Sequence, residues 1–171
     1  MKNKLLKTLT CFASISAIGS TIAITSTSCG CSNSTSNILP KNVYDIQDNV
    51  LMGFKDDFLN NPKSEIYQDN FKDCDTMLIP ANVTSVNEDA FIISTLPFTY
   101  ETIIPSFIKN LTFAKNSNCS SIGERAFYKS SLNSVILPNS LITIQDSVFE
   151  GCSVLTSVDF SNCANLSSIG C

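Results

Sequence analysis

The sequence contains no histidine and no tryptophan among its 171 residues. Without histidine the chain cannot form a Ser-His-Asp or Cys-His nucleophile pair, a histidine general base or a histidine metal site. The six glycines are scattered, so that no glycine-rich phosphate loop occurs. A CxxC pair or another zinc spacing is also missing. We therefore predict a protein that is not an enzyme, with no catalytic residues, no cofactor and no metal.

Charged residues are scarce and unevenly placed. They make up 15% of the chain, apolar residues make up 43%, and the formal net charge is −4. Lys2, Lys4 and Lys7 lie at the very start, whereas residues 130–171 contain no Lys or Arg. Binding of nucleic acid depends on clustered basic residues that contact phosphates. The sequence therefore predicts one ordinary domain and no nucleic-acid partner.

Residues 1–28 have the layout of an export signal. The three lysines are followed by a largely apolar stretch over residues 9–24 and then by small residues that lead to Cys29, as in a secretory signal peptide. Ser28-Cys29-Gly30 resembles the lipobox of bacterial lipoproteins, although Ser26 stands where an aliphatic residue is usual. In that family the cysteine thiol takes a diacylglycerol through a thioether and becomes the new N-terminus. The resemblance implies lipidation of Cys29 and a lipid anchor on the extracellular face of the bacterial cell membrane.

Three alternatives to lipidation at Cys29 stay open. In the first, the apolar stretch is an uncleaved membrane anchor, although about 16 residues rich in serine and threonine are short for a span. In the second, Cys31 carries the lipid behind a poorer lipobox. In the third, Cys29 is an ordinary thiol after signal cleavage. Residues 29–41 are predicted to form a polar tether, because runs rich in Ser and Asn bury too little surface to fold.

Three phrases recur in the C-terminal half. The first is Leu-x-x-Val-x followed by a large apolar residue, the second is a Ser/Thr-rich strand ending in Val or Ile, and the third places Phe five residues later. The spacing from Leu111 to Val135 is 24 residues and from Val135 to Val158 is 23, within the leucine-rich-repeat range of about 20–29. Stacking is predicted to place Val135 on Val158, Ile122 on Ile144, and Phe127 on Phe149.

Residues 132–152 (LNSVILPNSLITIQDSVFEGC) carry all three phrases in register. They resemble the BspA-like class of bacterial leucine-rich repeats, with Gln145 and Val148 where that unit has Gly and Ala. The resemblance covers residues 70–171. It implies a short leucine-rich-repeat solenoid that is mainly β, with short helical turns at the phrases that end in Phe127 and Phe149.

Members of that class are associated with adhesion to host proteins, host cells or other bacteria. The resemblance therefore implies a cell-surface protein whose partner is an unknown protein or host-surface ligand. No partner-binding residue is assigned, although several strand positions between the stacking residues would face a partner: Thr112, Ser134, Ile136, Ser157 and Asp159.

The two ends of the predicted solenoid differ. In residues 42–69, apolar side chains recur at helical spacing and predict an N-terminal capping helix, with an interaction helix as the alternative. At the other end the last unit stops at Cys171 before its Phe phrase, so that an open C-terminal end is predicted. A truncated or vestigial fragment of a larger repeat protein is the alternative to an adhesin. The spacing from Phe91 to Phe127 is 36 residues, which predicts a surface insertion over Ser94 to Glu101.

The eight cysteines are interpreted through the repeat register. Cys74 and Cys152 occupy the same position after Phe-x-x, where a small apolar thiol packs well in a core. Cys119 and Cys163 are predicted in loops. A pair between Cys163 and either Cys171 or Cys152 stays open, because sequence alone does not set disulfide connectivity.

Overall fold

The computed structural model describes residues 37–59, 71, 73–96 and 99–171. Secondary structure in this part is almost entirely strand, with a 3-10 turn at Lys41–Val43 and one short helix. No helix of the described residues is long and apolar enough to cross a membrane. The elements are β1 (Tyr44–Gln47), β2 (Val50–Phe54), α1 (Asp56–Leu59), β3 (Thr76–Ile79), β4 (Ser85–Val86), β5 (Ile92–Leu96), β6 (Thr99–Thr102), β7 (Asn110–Phe113), β8 (Ser121–Ile122), β9 (Ser134–Ile136), β10 (Thr143–Ile144), β11 (Ser157–Asp159) and β12 (Ser168–Ile169).

The repeat strands alternate between two sheets. Sheet A has the order β11-β9-β7-β3, and all its strands run parallel. Sheet B has the order β1-β2-β4-β8-β10-β12, in which only the β1–β2 pair is antiparallel. Each repeat unit therefore gives one strand to each sheet. Their inward side chains join one hydrophobic core, which is how a repeat that is too small to fold alone becomes stable.

The predicted stacking is confirmed in the register of both sheets. Val135 of β9 pairs with Val158 of β11, and Ile122 of β8 pairs with Ile144 of β10. The rings of Phe127 and Phe149 are stacked, with centroids 5.8 Å apart and planes 10° apart. The fold is mainly β and repeats as predicted. Burial falls in the last unit, where β12 is the edge strand: Ile144 is 4% exposed and Ile169 is 61% exposed.

The predicted helical turns before the phenylalanines are wrong. These phrases form non-helical turns that contain a residue with positive φ: Asp89 at 51°, Arg125 at 52° and Ser147 at 55°. The N–H of Arg125 donates to the carbonyl of Asp146 in the next unit at 3.1 Å. A left-handed residue aims this N–H along the solenoid axis, whereas a helical turn would direct it back into its own unit.

The predicted N-terminal capping helix is also wrong, because residues 44–54 form the β1–β2 hairpin. Asp48 and Asn49, at the turn between the two strands, both have positive φ, as a two-residue type I′ turn requires. Gly53 has a φ of 138°, and a Cβ there would lie 2.1 Å from the carbonyl oxygen of Ala90. The helical spacing of the apolar residues is therefore overridden by turn chemistry and by one close backbone approach.

Aromatic side chains from this hairpin nevertheless pack on the core. Phe54 contacts Phe91 with ring centroids 4.9 Å apart, and also contacts Phe58 of α1 at the same distance. Phe58 in turn lies 5.7 Å from Phe71. All four side chains are buried, so that the N-terminal segment extends the phenylalanine column that starts in the repeats.

Candidate binding surface

The outward side of sheet A carries two rows of side chains set by the strand register. The first row consists of residues that pair directly across all four strands: Thr76, Asn110, Ser134 and Ser157. The second row is two residues further along and contains Leu78 paired with Thr112, and Ile136 paired with Asp159. Every strand position named from the sequence as facing a partner therefore lies on this outward side, because side chains alternate along a strand.

The first row is occupied by its own hydrogen bonds. The Ser134 hydroxyl donates to Asn110 Oδ1 at 2.8 Å, and the Asn110 amide donates to Thr76 Oγ1 at 3.4 Å. Thr76 donates to the carboxylate of Asp75 at 2.6 Å. These contacts hold the pKa of Asp75 below its usual range, with the Thr76 hydroxyl as the main cause. The row is therefore a polar ladder that stabilises the stack, and it offers few free groups to a partner.

The second row offers an accessible apolar side chain. Ile136 is 47% exposed and lines a shallow groove of about 270 Å³ at the ends of β7 and β9. The groove also contains Lys115, whose side chain is exposed, and the Asp159 row position adjoins it through Ile136. The Asp159 carboxylate accepts a hydrogen bond from the Ser161 N–H at 2.8 Å, which lowers the pKa of Asp159. We call Ile136, the groove and these two flanking charges the strand-face site.

A second cluster lies where the β5–β6 hairpin meets the repeats. This hairpin occupies the place of the predicted insertion. The guanidinium of Arg125 lies 5.1 Å from the ring centroid of Tyr100 on β6. The same guanidinium bonds Asp89 at 2.9 and 3.2 Å and forms an ion pair with Glu124. Hydrogen bonding to Asp89 is the main cause that raises the pKa of Arg125.

The cluster continues to two further side chains. The rings of Tyr100 and Tyr128 meet edge to face with centroids 6.5 Å apart, and Lys129 Nζ lies 5.0 Å from the Tyr128 centroid. The sequence analysis assigned no role to these residues. The 36-residue spacing located the insertion, but a spacing does not tell which side chains of the insertion touch the repeat. The cluster anchors the hairpin, since cation–π and aromatic contacts of this kind stabilise by about 0.5–1.5 kcal/mol each.

The sequence-predicted chemical sites have mixed outcomes. Cys29 and Cys31 lie outside the described residues. Cys74 is fully buried and disulfide-bonded, so that the free thiol expected there is wrong. Cys152, at the equivalent repeat position, is a free half-buried thiol that donates to the Phe127 carbonyl at 3.1 Å.

The remaining described cysteines are also free: Cys119, Cys163 and Cys171. The pairs left open for Cys163 are therefore not formed. Within the described residues, no group of three or more His, Cys, Asp or Glu side chains is arranged to hold a metal ion.

Comparison with known proteins adds a family match. Residues 96–171 match the family model described as BspA type leucine rich repeat region, in six copies. None of the curated proteins matches the chain. Among solved structures, the chain is similar to the pneumococcal vaccine antigen PcpA, with a TM-score of 0.44 and 20% sequence identity over 56% of this chain and 26% of that one. The matched region thus spans about a quarter of the length of that antigen.

Proposed function

Residues 96–171 belong to the BspA type leucine-rich repeats, and from this premise we propose that the chain is a lipid-anchored surface protein that binds other proteins. Adhesion to host or neighbouring cells is the role that we assign to this binding. The resemblance noted for residues 132–152 is confirmed by the family match. The anchor at Cys29 and the adhesive role are the parts that we propose.

The exposed Ile136 beside its groove is the observation that carries the binding role. Protein interfaces are centred on an apolar or aromatic anchor in a pocket, surrounded by polar groups that exclude water. Ile136 supplies the anchor and the groove supplies the pocket. Lys115 and Asp159, one of each charge, provide a rim that selects partner orientation more than it adds affinity.

We place the chain among binding modules and not among enzymes. A nucleophile needs an accessible group whose pKa favours its reactive form. Burial raises the pKa of Cys119 to about 11 and raises that of Tyr44 as well. The raised pKa keeps both groups protonated at neutral pH, and both side chains are buried. Their environment therefore supports a packing role.

The anchor is tested by the intact mass of the protein purified from its own cells. We expect a mass that begins at Cys29 and carries a diacylglycerol adduct, and we expect protease added to intact cells to remove the protein. A Cys29→Ser variant should lose the adduct. A protein that carries no adduct in the wild type, or that protease cannot reach on intact cells, would contradict the proposal.

The binding role is tested with two isoleucines that are equally exposed. Ile136 on the strand face and Ile142 before β10 are each 47% exposed. Cells that carry the full chain should bind host or neighbouring cells, Ile136→Asp should reduce this binding to the level of cells without the protein, and Ile142→Asp should leave it unchanged. Both variants must first show equal surface amounts. Equal binding by Ile136→Asp and wild type would refute the strand-face site.

A further inference from the structure

The disulfide of Cys74 has no partner among the other cysteines that the structure describes. Cys74 is disulfide-bonded, whereas the other four described cysteines are free: Cys119, Cys152, Cys163 and Cys171. The sequence holds three further cysteines, Cys11, Cys29 and Cys31. The partner of Cys74 is therefore one of these three.

We propose that Cys74 pairs with Cys31, so that the tether is stapled to the first repeat strand two residues after the lipid-bearing cysteine. This inference rests on the proposed function, because lipidation decides which thiols remain. Cys11 lies inside the signal peptide and leaves with it. The Cys29 sulfur is consumed by the thioether to diacylglycerol. Cys31 is then the one thiol of this group that can form the disulfide.

The described geometry brings the chain to the right place. The carbonyl of Asn37 accepts hydrogen bonds from the N–H groups of Asp75 and Thr76 at 2.9 and 3.1 Å, and the N–H of Leu39 donates to the Thr76 carbonyl at 2.9 Å. The Cys74 sulfur lies 3.6 Å from the carbonyl oxygen of Ile38. Residues 37–39 therefore run beside β3 on the side where the sulfur lies.

The remaining chain length suffices for the pair. Cys31 precedes Asn37 by six residues, which span at most about 20 Å when extended, while a disulfide needs its two Cα atoms about 4.4–6.8 Å apart. Cys29, two residues further away, also satisfies this limit. Chain length therefore permits both cysteines, and the lipid on Cys29 selects Cys31.

The bond forms by thiol–disulfide exchange after export. The thiols of Cys31 and Cys74 give up two electrons and two protons to an external disulfide, such as that of an oxidised dithiol oxidoreductase, which is reduced to two thiols. The sulfur–sulfur bond of the oxidant breaks and the Cys31–Cys74 bond forms through a mixed disulfide. Burial of Cys74 then shields the product, because exchange requires access of a thiolate to one of the sulfurs.

The staple has a consequence for an anchored adhesin. A force on the lipid would otherwise peel residues 37–39 away from β3 one hydrogen bond at a time. With Cys31 bonded to Cys74, the load passes directly to the residue that precedes β3. The backbone hydrogen bonds of Asn37 and Leu39 are then outside the path of the force.

Tryptic mapping of the lipidated protein from its own cells tests the pair. Free thiols are alkylated without reduction, and trypsin then releases residues 29–41 and residues 73–109, which lie between basic residues. We expect these two peptides linked by one disulfide, with the diacylglycerol on Cys29, and two separate peptides after reduction. A Cys74 peptide that is alkylated, or that is linked to Cys29, would overturn the pairing.

Three variants separate this inference from the proposed anchor. Cys31→Ser should free Cys74 for alkylation, whereas Cys152→Ser, at the equivalent repeat position, should leave the linked peptides intact. Cys29→Ser should lose the lipid and keep the Cys31–Cys74 link. Absence of lipid in the wild type sinks the anchor, while a lipidated protein with a free Cys74 sinks only the pairing.

Discussion

The stacked phenylalanine column makes Phe127 the side chain whose loss should destabilise the repeats most. Its ring is fully buried and lies between Phe91 and Phe149, with centroids 5.5 and 5.8 Å away. Replacement of a buried phenylalanine with alanine costs about 3–5 kcal/mol, because transfer energy is lost and a cavity remains. Native domains have a total stability of about 5–15 kcal/mol, so that Phe127→Ala should remove a large share of it.

Phe149→Ala provides the matched comparison. Its ring stacks on Phe127 but is only half-buried, so that its removal leaves a gap open to water and a smaller loss of burial. We expect a cost of about 1.5–2.5 kcal/mol, half that of Phe127→Ala, because apolar stabilisation scales with the area removed from water.

Urea unfolding followed by far-ultraviolet circular dichroism measures both costs. The chain has no tryptophan, so that backbone signal replaces the usual fluorescence probe. A change in midpoint at constant slope reports the loss of stability itself. If Phe127→Ala cost less than about 1 kcal/mol, or no more than Phe149→Ala, a continuous aromatic column would not be the source of stability.

Three further changes probe register, polar burial and thiol chemistry. Ser130→Cys should form a disulfide with Cys152 on mild oxidation, because Ser130 Oγ lies 3.2 Å from Cys152 Sγ; two thiols that still titrate in the oxidised folded protein would disprove the register. Tyr44→Phe should leave stability unchanged or raise it by up to about 1 kcal/mol, since the buried hydroxyl makes no hydrogen bond of normal geometry to the described residues, although the Leu78 backbone is near enough to lower its pKa in part. A clear loss of stability would reveal a partner. Cys171 is exposed and should react with a thiol reagent at pH 8, whereas Cys119, whose pKa burial raises to about 11, should react only on unfolding; equal rates would contradict its burial.

The repeat register could be predicted because it depends on spacing alone. Val135 and Val158 were assigned to one column from a 23-residue period, and the structure pairs them directly. The same reasoning placed Ile122 on Ile144. In a solenoid each unit contacts its neighbours in the same way, so that one correct period fixes many contacts at once.

The N-terminal hairpin could not be predicted from apolar spacing. Val43, Val50, Phe54 and Phe58 fit a helical period, yet the left-handed turn at Asp48-Asn49 reverses the chain between them. Asn and Asp tolerate positive φ better than other residues with a side chain, and this local signal is the one that decides. The short α1 helix retains Phe58 alone of that set.

Ligand chemistry could be predicted least, because outward positions escape the constraint of the core. Ser134 fits the repeat equally well whether it bonds Asn110, as it does, or a partner. Ile136 at the equivalent outward site of the second row is exposed to nearly half its area. Only the three-dimensional neighbours separate a satisfied ladder from an accessible anchor.

The β5–β6 hairpin shows where such a fold leaves room for binding chemistry. Ser85 of β4 still pairs with Ser121 of β8 across the longer spacing, and β3 still pairs with β7, so that both sheets stay continuous past the insertion. Extra residues at the turn cost only loop-closure entropy, which grows slowly with length. The segment that breaks the period is therefore the one that the core constrains least, and it is there that Tyr100 is brought to Arg125. In this chain a departure from the repeat is a better guide to a specific surface than the repeat itself.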